Sequence, residues 1–386
     1  LLLQQPSRLL PSQKRLQRSS PQRKRKPRRK RKPRRAASRG SVPYLGEPPF
    51  SVMLELDGSY GEGGGQILRT AIALSAITGQ PLRLYNIRKG RRSEGLAPQH
   101  LKAVQTAAHI TDARVDGLKL HSTELFFHPT CIHPLNGEVD IGTAGSITLL
   151  LQCILPILLH APKSSSFTVR GGTDVEWSPS WDYFEHITLA ALGQMGASVE
   201  AGLLMRGYYP EGGGVVSMKV SPSHIHISPR EFERSDAPIA GNVHSFALPS
   251  HVPERIRDAA ATFLMQHGHP AHIALEHTRA RSVGCGITLW SGLLGACALG
   301  RRGLPAERVG RMAASQLLKE IKSGASVDVH LADQLIPYMA LSGGGEFVVR
   351  EITEHTRTNV WTVQHFVDVE CTIERTNELY RVCMST

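Results

Sequence analysis

Three triglycine runs, opening at Gly63, Gly212 and Gly343, punctuate this chain, and each stands at a junction between two predicted elements. From Val52 to Phe127 the hydrophobic pattern reads strand, glycine turn, helix, strand, basic loop, helix and two short strands. The same order returns from Glu138 to Pro222. Strand EVDIG precedes helix TAGSITLLLQCILPILLHA, then come strand SSFTVRGG, helix WDYFEHITLAALGQMG and a hairpin of VEAGLLMRGYYP with GGGVVSMKVSP. A third round enters at Val327, with helix VDVHLADQLIPYMALSG, strand GGGEFVVREI, helix HTRTNVWTVQHFV and the closing strands of VECTIERTNELYRVCMS. The order β-α-β-α-β-β thus recurs, with glycine clusters at matching places.

Between the second and third rounds the pattern changes. Pro222, Pro229 and Pro238 mark a boundary with little periodicity. Beyond it, GNVHSFALP, helix PERIRDAAATFLMQHG, strands HIALEH and GITLWSGLLGACALG and helix PAERVGRMAASQLLKEIKSG form a different compact pattern. The expected class is α+β: a large repeat domain (47–228 and 324–386) interrupted by a smaller α/β domain (229–323).

Charge is unevenly spread. Residues 1–46 hold sixteen Lys and Arg and no acid, more than the whole-chain +12, so the remainder is net acidic by four. The folded part is therefore not a general nucleic-acid binder, and any grip on nucleic acid must be local. The run RKRKPRRKRKPRR repels itself and is expected to be disordered, with Pro-rich 42–50 as linker. It reads as a nuclear-import or nucleic-acid-binding tail, with an organelle transit peptide or an uncharacterised tail as alternatives. We expect the nucleus, with cytoplasm or an organelle as the other choices. The chain opens on Leu1, so its true start is expected to be missing or misassigned. Six cysteines without paired zinc spacing point to a reduced, intracellular protein. The longest apolar run, Ile147 to Ala161, is too short to span a membrane and contains Gln152 and Pro156.

The densest chemistry lies between Asp57 and His100. Glu62 adjoins the glycine turn Gly63–Gly65, Arg69 follows early in the helix, and Arg88, Arg91 and Arg92 sit on the loop after the next strand. Gln99 and His100 open the second helix. A glycine turn feeding a helix start leaves backbone N–H groups that attract anions, and guanidinium forks grip phosphate oxygens in pairs. A lone carboxylate among them suits a divalent cation. The bland alternative is a glycine-rich turn with solvated charges.

DGSYGEGGGQILR, IRKGRRSEGLAPQHL, GTAGS, RGGTD, RGYYPEGGGVV, HLADQL and EHTRTN, in that order over residues 53–386, resemble the RNA 3′-terminal phosphate cyclases. The segment Arg206–Val216 fits that family's signature of Arg-Gly, two residues, Pro, one residue and three glycines. The resemblance implies three such repeats, like those of the enolpyruvyl transferases and a translation initiation factor domain, with an inserted α/β domain. It also implies a ligase, an RNA 3′-terminal-phosphate cyclase (ATP), that converts an RNA 3′-phosphate to a 2′,3′-cyclic phosphodiester. The implied route runs through a histidine-AMP intermediate and an adenylylated RNA end, with ATP and a divalent metal, Mg or Mn.

Carried over residue by residue, His355 in EHTRTN matches the nucleophile, Arg69, Arg88 and Arg91 the phosphate-contacting arginines, and Glu62 the metal-binding acid. Gln99, His100, Gln152, Asp333 and Gln334 match other positions of the pocket. Without the resemblance, His355 reads as a surface or capping residue, Asp333 and Gln334 as polar helix positions, and Gln152 as a core amide. Arg92 has no match and is expected to be solvated. His330 stands where the family usually carries a Tyr packed near the nucleotide. It is smaller, titratable and the fallback nucleophile. The remaining histidines, including His224, His226, His267, His269 and His272, lack a third ligand at a convincing spacing and are expected at the surface. The implied partners are RNA 3′-phosphate ends and ATP, with no membrane. The main alternative is a non-catalytic cyclase-like protein acting in ribosomal RNA processing, and retention of Glu62, the arginines and His355 argues against it. An enolpyruvyl transferase leaves EHTRTN unexplained.

Overall fold

The computed structural model describes residues 53–226 and 231–386. The tail 1–46, the linker 42–50 and part of the boundary segment lie outside the described residues.

Where the sequence alternates, strands form with one face buried; where Gly or an N-cap side chain precedes an apolar stripe, helices start. The first sheet contains β1 (Leu54–Asp57) and β2 (Leu82–Tyr85), joined through α1 (Gln66–Thr78). After α2 (Pro98–Thr111) come β3 (Arg114–Asp116) and β4 (Leu125–His128). The order is β1-β2-β4-β3, with β1 and β2 parallel and the other pairs antiparallel. The second sheet uses β5 (Asn136–Asp140), α3 (Ile147–Leu159) and β6 (Ser165–Gly171). Next are α4 (Trp181–Tyr183), a π-helical turn (Phe184–Thr188), α5 (Leu189–Gln194), β7 (Ser198–Met205) and β8 (Gly214–Ser221). Its order is β5-β6-β8-β7, again with a parallel first pair.

A different sheet follows. It comprises β9 (Ile239–Phe246), β10 (Ala271–His277), β11 (Gly284–Ser291) and β12 (Leu294–Leu299), in the order β10-β9-β11-β12. It is accompanied by α6 (His251–Gln266) and α7 (Ala306–Ser323). On α7 the buried positions Ala306, Val309, Gly310, Ala313, Ala314, Leu317 and Leu318 form one stripe, the spacing of a half-exposed helix. The last segment gives α8 (Val329–Leu341), β13 (Gly344–Val349), α9 (Glu354–Val363), β14 (Glu370–Thr376) and β15 (Leu379–Ser385), with sheet order β13-β15-β14. A single parallel bridge from Glu231 to Glu346 sits beside β13.

Two separate apolar cores result. The larger gathers α1, α3, α8 and the inner faces of three sheets, and it includes Phe232; the smaller lies between β9–β12 and α6–α7. α1 is buried along nearly its whole length, from Gln66 to Ala76, which makes it a central element. Between the cores runs a buried ionic knot. Arg206, fully buried, donates to Asp174 (3.1 Å), Asp182 (2.7 Å) and Glu276 (2.6 Å), while Asn242 donates to Glu276 (2.8 Å). The signature segment around Arg206 thus joins β8 to β10. A Cβ on Gly207 would meet the Gly214 nitrogen at 2.5 Å, and one on Gly214 would meet the Gly207 nitrogen at 2.6 Å, so this crossing admits only glycine.

Three local expectations need correction. Gly286–Gly300 is not one strand: β11 and β12 are antiparallel around Gly292–Leu293, with Gly292 at φ +57°, the left-handed backbone such a turn uses. The helix from Trp181 to Gly196 is broken by the π-helical turn, beside which the Tyr183 hydroxyl reaches both carboxylate oxygens of Asp328 (2.8 and 2.9 Å). Finally, α9 stops at Val363, and Phe366 folds back onto the core.

Candidate active site

All eleven residues singled out in the sequence, Glu62, Arg69, Arg88, Arg91, Gln99, His100, Gln152, His330, Asp333, Gln334 and His355, line one cleft of about 1020 Å³. They come from the glycine turn before α1, from the first two turns of α1, α2, α3, α8 and α9, and from the loop after β2. Helix starts carry partial positive charge and free N–H groups. At α1 no side chain caps Gly65, so its N–H groups are left for a ligand. Gly63 turns the chain at φ +58°, and side chains at Gly64 and Gly65 would collide with Glu62 and with His100.

Arg69 is the most telling of these side chains. It is buried, its Nη2 donates to Gln66, its Nε has no partner, and among the described residues it makes no ion pair with a carboxylate. Burial pulls its pKa below the ordinary arginine value, with Cys153, Asp333 and Glu62 opposing. A buried cation with an unmet donor calls for an anionic ligand. Arg88 adopts φ +55°, and its Nη1 donates to the Gly95 carbonyl at 2.9 Å, which aims the rest of its fork into the cleft.

Glu62 holds the centre. Its Oε2 lies 3.0 Å from His355 Nε2 and 3.1 Å from Arg91 Nη2. Burial alone would raise the Glu62 carboxyl, but the hydrogen bond and charge of His355, together with Arg91, bring it below its usual value. The Glu62 hydrogen bond raises the His355 imidazole against burial, helped by Asp333. His355 Nδ1 is buried without a partner. Asp333, deprived of solvent, is pushed up to about 6, and His355, His330 and Arg69 hold it from going higher.

The polar neighbours divide by what they still offer. Gln152 Oε1 is buried and unpartnered in the wall. Gln99 Oε1 accepts the Ser146 N–H at 3.0 Å, tying α2 to the start of α3. His100 is pushed down to about 3 by burial and by Arg69 and Arg88, so it is neutral; its Nδ1 accepts the Ala97 N–H at 3.3 Å. Gln334 uses both ends of its amide on Thr188 (3.0 Å) and the His330 carbonyl (2.9 Å). His330 is exposed on the rim, and Arg92 is exposed as expected.

Other residues of the site escape a linear reading. Asn359 of EHTRTN accepts from Thr70 (2.8 Å) and Gln66 (3.2 Å) and donates to the Asp333 carbonyl (2.7 Å), locking α9 against α1 and α8. Asp328 caps α8 and also accepts the Gly295 N–H at 2.8 Å. The far wall comes from Glu176–Pro179, Cys297, Gln316, Lys319, Glu320 and Arg350. Trp177 is 94 % exposed there, with φ +66°. Polar punctuation, the Ser178-Pro179-Ser180 run after Trp177, was the one signal in the sequence for this loop.

An alternating helix and sheet architecture with five helix starts and a group of arginines, carboxylates and imidazoles around one cleft defines a mixed α/β protein with a charged, polar cleft. The sequence profile of the RNA 3′-terminal phosphate cyclase family matches residues 60–373. Similar proteins are the RNA 3′-terminal phosphate cyclases of Methanosarcina barkeri, 52% identical over 86% of this chain and 100% of that protein, and of Archaeoglobus fulgidus, 48% identical over 82% and 96%. That of Pyrococcus furiosus is 46% identical over 81% of this chain and 93% of its own. The chain belongs to the RNA 3′-terminal phosphate cyclase family. A solved structure, the enolpyruvyl transferase NikO from Streptomyces tendae, aligns at a TM-score of 0.24 with 13% identity over 54% of this chain and 38% of that one, too little to bear on the fold.

These relatives are archaeal and lend the nuclear expectation no support; that expectation rests on residues outside the described ones. Among the described residues no helix is long and apolar enough to cross a membrane.

Proposed function

We propose that this protein cyclises RNA 3′-phosphate ends at the expense of ATP, with His355 as the nucleophile. The observation that carries the reading is the shared cleft: Arg69, Arg88 and Arg91 from the N-terminal third face His355 from the C-terminal end across Glu62. A non-catalytic relative would have no need of a buried, unpaired guanidinium beside an imidazole.

In the first step an imidazole nitrogen of His355 attacks the α-phosphorus of ATP, forms the N–P bond and expels pyrophosphate. AMP then passes to the RNA 3′-phosphate, and the vicinal 2′-hydroxyl displaces AMP to close the ring. Each step moves negative charge on phosphate, so the site must supply fixed cations and N–H donors more than acid or base help. Arg69, Arg88, Arg91 and the start of α1 supply them. In the free protein His355 Nε2 is held by Glu62 and Nδ1 is buried. Attack therefore requires Glu62 to give up the imidazole.

A divalent cation suits this carboxylate, because Mg²⁺ is held by one or two carboxylates together with phosphate oxygens and water. Glu62 would hold it, and it would supply charge neutralisation at the phosphates. His330, exposed at the rim, and Trp177 offer flat surfaces for a base in place of the Tyr usual in this family.

The architecture reads as three repeats with an insertion. The order β1-β2-β4-β3 returns as β5-β6-β8-β7, and β13-β15-β14 has the same order once the bridge at Glu231 takes the first position. On this reading the third repeat begins before the insertion, because Phe232 packs in the larger core.

The test is a short RNA ending in a 3′-phosphate, incubated with ATP and Mg²⁺. A 2′,3′-cyclic end resistant to phosphatase, formed with one AMP per end, is expected. An end that stays phosphatase-sensitive would dismiss the cyclase reading.

A further inference from the structure

Far from the cleft, three side chains of different chemistry meet at one point. His133 Nε2 lies 2.7 Å from Asp112 Oδ2 and 3.1 Å from Cys131 Sγ, and that thiol is 3.6 Å from the same Oδ2. Among the described residues this is the one place where three such donors come within 4.8 Å of one another. The sequence did not reveal it, since Asp112 stands 19 residues before Cys131 in the chain.

The arrangement is not a nucleophilic relay. In a Cys-His-Asp relay the thiol and the carboxylate use opposite ring nitrogens, so that a proton can pass through the imidazole. Here both converge on Nε2, while a single ring nitrogen holds at most one proton. With the thiol ionised and the imidazole neutral, sulfur, nitrogen and oxygen lone pairs all face a common centre. We propose that Cys131, His133 and Asp112 form a zinc site that clips the loop after β4 onto the end of α2.

The backbone is already built for it. Thr130 N–H and Cys131 N–H both donate to the Thr111 carbonyl (3.0 and 3.2 Å), and His133 N–H donates to the Ile110 carbonyl (2.7 Å). Thr130 Oγ1 adds bonds to the carbonyls of Thr111 (3.1 Å) and Asp112 (3.2 Å). Asp112 itself, capping α2, adopts φ +45° and so turns its carboxylate toward the loop. The two halves of the site are thus fixed to each other before any ion arrives. The C-terminal end of a helix is the negative end of its dipole and favours a cation.

Donor chemistry selects the ion. Thiolate and imidazole exclude Mg²⁺ and Ca²⁺ and suit Zn²⁺, whose charge a thiolate and a carboxylate neutralise. Ligand bonds of about 2.0–2.3 Å set tetrahedral donor spacings near 3.3–3.7 Å, so the cluster has to open by only about half an ångström. The fourth corner falls to water or to His109 in the last turn of α2. Binding expels the thiol proton to solvent and changes no oxidation state. α2, at about 1.5 Å per residue, keeps this site roughly 20 Å from Gln99 and His100 at its other end, so the ion does not take part in the cleft's chemistry.

The experiment uses the full chain, freed of metal under a phosphine reductant, and titrates Co²⁺ as a spectroscopic stand-in for Zn²⁺. We expect a thiolate-to-cobalt charge-transfer band that saturates at one equivalent, disappears on adding Zn²⁺ and persists in Glu62→Gln. In Cys131→Ser and in His133→Ala the band should be lost and Zn²⁺ affinity should fall by more than about 100-fold, since loss of even an outer-shell partner costs 10–100-fold. Both positions are exposed, and circular dichroism checks that the variants are folded. Zn²⁺ should raise the melting temperature of the parent but not of Cys131→Ser. Absence of the band at saturating Co²⁺, or its survival in Cys131→Ser, would mean a hydrogen-bonded surface cluster only and overturn the proposal.

Discussion

Replacing Arg69 by Met separates what the cleft costs the fold from what it does for the ligand. The parent chain buries a guanidinium whose Nε has no partner, on a helix that is otherwise core. An unmet buried donor costs about 1–3 kcal/mol, and Met restores the volume without it. Against this, Gln66 Oε1 loses the Arg69 donor, worth about 1 kcal/mol, although its Nε2 keeps Asn359. The net expectation is a free protein as stable as the parent or up to about 2 kcal/mol more stable, a rise of up to several degrees in melting temperature. Transfer of AMP to the protein should fall by about 10²–10³, the usual effect of removing one fixed donor from a charged transition state. Thermal shift with and without ATP reads both sides at once: the variant should melt no lower than the parent and gain nothing from nucleotide. A variant destabilised by 2 kcal/mol or more, or one still stabilised by ATP like the parent, would refute the reasoning that Arg69 is an unpaired cation kept for an anion.

Arg206→Met should behave in the opposite way. It leaves Asp174, Asp182 and Glu276 facing one another without their shared cation, and a loss of about 3–5 kcal/mol is expected from the urea midpoint; a midpoint within experimental error of the parent would remove the knot from its role. Stability should also fall on mild acidification because of His100. Its folded pKa, about 3, lies below the ordinary 6.5, so the unfolded chain takes up the proton first. The contribution is complete above pH 6.5 and is lost as pH falls toward 3. The loss by pH 5 is at most about 2 kcal/mol, and His100→Asn should flatten that slope in chemical denaturation between pH 7 and 5.

Local chemistry was legible where it sits in compact motifs. The glycine turn, the first-turn cations and the helix starts put Glu62, Arg69, Arg88, Arg91, Gln99 and His100 together because one supersecondary unit holds them. His355 and Asp333 joined them only through the resemblance, since no local rule connects α9 to α1. The physical connection turned out to be Asn359 and the Tyr60–Trp361 stack, with ring centroids 4.1 Å apart. Apart from the polar punctuation beside Trp177, the sequence did not mark the opposite wall at Glu176–Pro179, Gln316, Lys319 and Arg350, because distant packing brings those segments in. The signature around Arg206 has the reverse lesson. Its glycines and arginine, which fit the family's signature, lie outside the cleft lining and hold two cores together. A stretch of sequence can identify a family by the fold it requires without touching substrate.

The most direct measurement is the covalent one. Full-length protein incubated with α-labelled ATP and Mg²⁺ should yield an acid-labile, alkali-stable protein–AMP adduct that maps to the peptide containing His355 and is absent from His355→Ala. An adduct of unchanged yield in His355→Ala, or one mapped to His330, would contradict the assignment of His355 as the group that takes AMP across this cleft.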